Sequence, residues 1–154
     1  MSDESVSLAG EYLVFRLGTK NYGLDILLTS EIRSYEQPSP IAQMPAFHKG
    51  LLNLRGVVVP IIDLRIVAGC EAHFDVQTVV AVISLAGRRI GVVVDAVSDV
   101  REITADQIRQ VAGSPHPDTH LHIVATAGTG EEQLALMDIE GLMESLHLII
   151  EAAK

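Results

Sequence analysis

Tryptophan is absent from this 154-residue chain, and the other aromatics are few, three tyrosines and three phenylalanines. Platforms for stacking nucleic-acid bases are therefore thin. Positive charge is scarce as well. Eleven lysines and arginines stand against 20 acidic residues, a formal net charge of −9, and Arg88-Arg89 is the only adjacent basic pair. A phosphate backbone meets net repulsion, so nucleic acid is not an expected partner. A single cysteine, Cys70, leaves no internal disulfide and suits a reducing cytoplasm. No apolar run approaches the ~18–20 residues of a membrane-spanning helix. The longest are interrupted by Arg55, Pro60, Asp63 and Arg65. Met1-Ser2-Asp3-Glu4-Ser5 is acidic and shows neither the basic nor the apolar region of a secretory signal.

Catalytic equipment is missing too. There is no G-x-S-x-G elbow and no H-E-x-x-H helix. The glycines of Gly128-Thr129-Gly130 run into Glu131-Glu132, which repel phosphate. Cys70 has no histidine at a nucleophile's spacing and reads as an inert thiol. One cluster stands apart: His116-Pro117-Asp118-Thr119-His120-Leu121-His122. In a strand His120 and His122 share a face, as two metal ligands do. Pro115 and Pro117 favour a solvated loop instead. With no catalytic apparatus and 48% hydrophobic residues, a binding module is favoured over an enzyme.

What is present is a repeat. With Glu11 placed over Val79, an ungapped offset of 68 puts Leu17 on Leu85, Gly23 on Gly91, Ser30 on Ser98, Glu31 on Asp99 and Arg33 on Arg101. Ile62-Asp63-Leu64 recurs as Met137-Asp138-Ile139 at an offset of 75, placing about seven extra residues near Val111 to His122. Two copies of one supersecondary unit follow. Hairpins are predicted for Tyr12–Leu17 with Asn21–Ile26, Thr78–Leu85 with Arg89–Val94, and Leu121–Thr126 with Gln133–Met137. The valine and isoleucine runs predict strands covered on both faces. Gly23 and Gly91 mark matching bulges or close approaches. Helix is scarce: a turn at Pro45–Lys49 stopped by Gly50, a capping-box turn at Thr104–Gln107, and a helix over Ile139–Leu148 capped by Asp138.

The densest signal is Gly50-Leu51-Leu52-Asn53-Leu54-Arg55-Gly56-Val57-Val58-Val59-Pro60-Ile61-Ile62-Asp63-Leu64-Arg65. It reads as two strands joined at a glycine with a cation at the joint, and Pro60 predicts a strand edge or break. This run resembles the signature of the CheW family of chemotaxis coupling proteins. Glu11–Gly18, Tyr22–Ile26, Glu31–Arg33, Ile90–Val100 and Leu134–Met143 extend the resemblance over roughly residues 11–146. It implies an all-β fold of two pseudo-repeated five-stranded SH3-like barrels, with short helices and a C-terminal helix. Residues 11–146 would form a single domain made of two intertwined barrel subdomains, with residues 1–10 a flexible N-terminal tail and 147–154 a C-terminal tail.

The same resemblance implies a non-catalytic, cofactor-free, cytoplasmic adaptor associated with membrane chemoreceptor arrays. Its two partners would be the hairpin tip of a chemoreceptor, in an apolar groove between the barrels, and the regulatory domain of a CheA-type histidine kinase. Receptor-side residues carried over by position are Thr29, Glu31, Arg55, Gly56, Val79, Val93, Val97 and Val100, with Glu31 the expected partner of Arg55. No kinase-side residues are assigned. Two departures concern the second half and the site: alanines at Ala125 and Ala127, where the family commonly has glycine, and Thr29, where it often has valine. The alternative reading is a small β-barrel metal protein or enzyme using His116–His122.

Overall fold

The computed structural model describes residues 8–110, 121–129 and 132–152. Among them eleven strands form two sheets. The first half supplies β1 (Gly10–Leu17), β2 (Lys20–Asp25), β3 (Thr29–Ser34), β4 (His48–Leu54) and β5 (Val57–Asp63), then the short helix α1 (Leu64–Val67). The second half supplies β6 (Val79–Leu85), β7 (Arg88–Val94), β8 (Ala96–Ile103), β9 (Ile108–Gln110), β10 (Ile123–Thr129) and β11 (Glu132–Met137), then α2 (Ile139–Ala152). One sheet runs β8-β1-β2-β11-β10-β9 and the other β3-β6-β7-β5-β4.

The repeat is visible in the pairing. β1 lies between β2 and β8, and β6, its counterpart 68 residues later, lies between β7 and β3. Each half has sent its third strand to the other's sheet, so the two units are intertwined. The details coincide as well. β8 bulges against β1 at Val14/Phe15, and β3 bulges against β6 at the matching Val82/Ile83. Within those bulges the Ser98 hydroxyl donates to the Val14 carbonyl, and the Ser30 hydroxyl donates to the Val82 carbonyl. Arg33 pairs with Glu31 and Arg101 with Asp99, each at 3.2 Å.

Gly23 and Gly91 explain how the sheets curl. Gly23 stands opposite Leu136 in a parallel pairing of β2 with β11, and Gly91 stands opposite Ile61 in the same pairing of β7 with β5. A Cβ on Gly23 would lie 2.8 Å from Leu136 Cδ2, and one on Gly91 2.6 Å from Ile61 Cδ1. Only a missing side chain admits the approach.

Both faces of the inner strands are covered, as the valine runs predict. Along β6, Val80 and Val82 join Leu52, Leu54, Val59, Ile61 and Val93 in one cluster. Ala81 and Ile83 face the opposite way, into a central cluster with Phe15, Tyr22, Leu24, Val92, Val94 and Leu142. A third cluster holds Tyr12, Val14, Ala125, Ala127, Leu134 and Leu136. Thus each curled sheet encloses a small core, and the central core lies between them.

Several expectations are corrected. Pro60 is not on an edge strand, because β5 lies between β7 and β4. It sits where the parallel ladder begins: β7 pairs Ile61, Ile62 and Asp63, and the missing N–H falls just before. Pro45–Lys49 makes a single turn, with the His48 N–H donating to the Pro45 carbonyl, and β4 begins at His48. Gly50 is therefore a strand residue, not a helix stop. The chain is already packed before residue 11, since Leu8 and Ala9 lie against the third cluster and the Tyr12 hydroxyl donates to the Leu8 carbonyl. At the other end α2 continues past Leu148 to Ala152; its start is capped, with the Gly141 N–H donating to Asp138 at 3.1 Å. The Thr104 capping box forms as expected, Gln107 Oε1 accepting from the Thr104 N–H at 2.9 Å.

Candidate docking face

Leu54-Arg55-Gly56-Val57 closes the β4–β5 hairpin with a two-residue turn, in which Arg55 and Gly56 have φ of 56° and 86°. Positive φ at both central residues is the type I′ geometry that matches strand twist. The Asn53 side chain completes it, its Oδ1 accepting from the Gly56 N–H at 2.8 Å. Asparagine or glycine fits the first turn position with less strain than arginine. Ala86 takes the same kind of position in the β6–β7 turn, φ 50°, so the strain itself belongs to the hairpin register.

The arginine side chain does little for the fold. Arg55 is 79% exposed and touches Glu31 at 3.5 Å, Nη2 to Oε2. The other carboxylate oxygen of Glu31 is held by Arg33 at 3.2 Å. Exposed pairs of this kind contribute ~0–1 kcal/mol. The turn thus displays a cation loosely tethered to β3, with Val57 and Val58 exposed beside it and Ile32 exposed on β3.

The eight candidate residues separate into groups. Glu31 and Arg55 are in contact, and Gly56 follows in the same turn. Because of the Ser30 bulge, Thr29 stands opposite Ile83 and so shares its face of β3 with Ile32, while Glu31 and Arg33, opposite Val82 and Val80, lie on the other face. Val79, half-buried, begins β6 opposite Ser34 at the far end of β3. Val97 and Val100 lie on β8, the edge strand of the other sheet; Val97 packs on the central cluster, while Val100 is 46% exposed. Val93 is the exception. It is fully buried beside Val80 and Val82, so it shapes the sheet behind the face and offers no surface to a partner. Alternation along β7 sends Val93 inward with the barrel core, which residue type alone does not reveal.

An open cleft of about 530 Å³ does appear, but none of these eight residues lines it; its walls are Tyr35, Gln37, Pro38, Pro40, Lys49 and Phe74. The departures Ala125 and Ala127 are fully buried, so their methyl groups fill a core and leave the surface unchanged. Among the described residues no three histidine, cysteine or acidic side chains group as a metal site. His116 to His120 lie outside the described residues. His122 is described, at φ 54°, with its carbonyl accepting the Asp138 N–H. No helix among the described residues is long and apolar enough to cross a membrane.

Sequence reasoning missed the largest buried polar group. Arg65 is fully buried, and its guanidinium forks onto Asp63, with Nε to Oδ1 and Nη2 to Oδ2 both 2.9 Å. Its Nη1 reaches Asp95 at 3.1 Å and also donates to the His73 carbonyl. Asp95 in turn accepts from the Gly18 N–H at 2.7 Å. The Phe74 ring covers the guanidinium, 4.6 Å from centroid to Cζ, and Tyr35 packs on Phe74. Burial pulls the Arg65 pKa down, but the bonds and charges of Asp63 and Asp95 outweigh it and hold the pKa above the usual arginine value. This node fastens β5, the β1–β2 turn and the β7–β8 junction to one another.

Comparison with known proteins places this geometry. Residues 11–147 match the family described as the CheW-like domain. The chain is 44% identical over 147 residues to the chemotaxis protein CheW of Klebsiella aerogenes, covering 94% of this chain and 89% of that one. It is 28% identical over 137 residues to the protein FrzA of Myxococcus xanthus, covering 88% and 86%. The crystal structure of the scaffolding protein TtCheW from Thermoanaerobacter tengcongensis matches with a TM-score of 0.77 and 26% identity, over 85% of this chain and 90% of that one. Both the paired, intertwined β-units and the Asn53-Leu54-Arg55-Gly56 turn fall within the matched residues, and the chain belongs to the CheW family of non-catalytic chemotaxis scaffolding proteins.

Proposed function

We propose that this chain couples membrane chemoreceptors to a CheA-type histidine kinase in the cytoplasm, binding both and turning over nothing. The observation that carries this reading is the Arg55 turn, where a nearly free cation stands at a rigid hairpin beside Glu31 and exposed valines, in a chain of that family. Such a face suits the tip of a receptor helical hairpin: apolar side chains seat it and a few polar groups fix its register. Thr29, Glu31, Arg55, Gly56, Val79, Val97 and Val100 are its proposed contacts. The kinase regulatory domain takes a different surface, since competition for one surface would uncouple the two partners. Receptor states then bias the kinase through their unequal affinities for the joint complex.

Arg55→Ala tests the reading. Folding stability should change by less than ~1 kcal/mol, because the pair it removes is exposed. Affinity for a soluble receptor-tip fragment should fall by ~2 kcal/mol, roughly thirtyfold, through loss of a charge-assisted contact. Calorimetric titration and thermal melting read the two quantities. Wild-type affinity in a normally folded variant counts against the proposed face, and a large drop in melting temperature makes Arg55 structural.

A further inference from the structure

The Thr29 hydroxyl has no work within the folded chain. Its oxygen is shielded from solvent, and no hydrogen-bond partner stands within reach among the described residues. Burying an unpaired hydroxyl is unfavourable, so its retention calls for a reason. The neighbouring groups are already engaged. Ser30 donates to the Val82 carbonyl, and both carboxylate oxygens of Glu31 are held, one by Arg33 and one by Arg55.

The internal repeat supplies a control. Thr29 opposes Ile83 at the β3–β6 bulge, and Val97 opposes Phe15 at the matching β8–β1 bulge. Val97 packs on the central cluster, so an apolar branched side chain satisfies that place in the fold. Valine has the shape of threonine with a methyl group for the hydroxyl. The backbone at Thr29 is ordinary extended strand, φ −92° and ψ 115°, and suits valine equally. Neither packing nor backbone therefore accounts for the oxygen.

We propose that the Thr29 hydroxyl is the selectivity element of the docking face, reserved for an acceptor oxygen on the docked receptor segment: a carboxylate, a side-chain amide or an exposed carbonyl. The inference rests on the docking reading above and refines it. Thr29 is half-buried and lies on the same face of β3 as the exposed Ile32, the face along which a docked segment would pass it. Rotation about χ1 then exchanges methyl and hydroxyl, turning the methyl inward, where Val97 shows that one fits, and the O–H toward the partner. A segment offering only apolar atoms there leaves the hydroxyl unpaired and binds less well, which is how a polar group in a dry contact discriminates.

Calorimetric titration of a soluble chemoreceptor hairpin-tip fragment into the wild type, Thr29→Val and Thr29→Ser provides the test. Thr29→Val should melt no lower than wild type yet bind about five- to tenfold more weakly, the scale of one net hydrogen bond. Thr29→Ser, which keeps the hydroxyl and loses the methyl, should bind within about twofold of wild type on the same scale. Thr29→Val binding as tightly as wild type overturns this inference and leaves the docking reading standing, as does an equal loss in both variants, which assigns the effect to shape. Failure of the wild type itself to bind the fragment overturns the docking reading and the inference with it.

Discussion

Alanine in place of Arg65 is expected to destabilise the fold by about 3–5 kcal/mol, the usual result of removing one member of a buried ion pair. The cost arises from what remains. Asp63 is fully buried, and both of its oxygens lose the guanidinium; Asp95 loses its cation while still holding the Gly18 N–H. The His73 carbonyl and the Phe74 ring lose the group they pack on. For a chain of this length the melting temperature should fall on the order of 10 °C. Arg65→Lys should recover only part of this, since an ammonium cannot fork onto Asp63 and still reach Asp95. Thermal and urea unfolding of the two variants provide the check. A loss below ~1 kcal/mol for Arg65→Ala, the range of an exposed pair, would show that the node does not hold the strands together.

Gly50→Ala is the second large effect. Gly50 has φ 127°, a region that side chains avoid, and a Cβ there would lie 2.0 Å from the Ser39 carbonyl oxygen. That carbonyl cannot swing away freely. It accepts the Leu51 N–H at 2.9 Å, and the Ser39 N–H donates to the Leu51 carbonyl at the same distance. The added methyl must break this bridge or displace β4. Overpacking of ~1–3 kcal/mol, together with ~1–2 kcal/mol of backbone strain, gives an expected loss of ~2–5 kcal/mol. The bridge carries the 38–40 segment, so the cleft walls Pro38 and Pro40 should loosen with it. Hydrogen exchange at the Leu51 amide reads the local break and melting reads the total. Unchanged protection and melting would mean that the strand accommodates a side chain at this position.

The repeat was legible because its signals are periodic. Gly23 and Gly91, Ser30 and Ser98, and Arg33 and Arg101 keep one offset, and the structure gives each pair the same neighbours. The intertwining came only with the family resemblance, since nothing local in β3 says that it pairs with β6 instead of β1. The Arg55 turn was legible from glycine, charge and flanking apolar runs, and its contact with Glu31 came from the family resemblance. Arg65 was opaque for a physical reason: arginine ordinarily lies on the surface. Its partner Asp63 is two residues away, but Asp95 and the His73 carbonyl arrive only through folding. Val93 failed in the opposite sense, as a valine of the right family position whose strand phase turns it into the core. Pro60 was misplaced because a missing N–H marks the start of a ladder as readily as an edge, and only the register with β7 distinguishes them.

The central claim is that this chain joins two partners at once. Its most direct measurement is sedimentation of a mixture of this chain, a receptor-tip fragment and the CheA-type kinase, with kinase autophosphorylation followed as this chain is added. Simultaneous binding predicts a boundary containing all three proteins and kinase activity that responds to receptor only when this chain is present. Receptor fragment displacing kinase from the chain at saturating concentrations, or kinase activity indifferent to the chain, would contradict it.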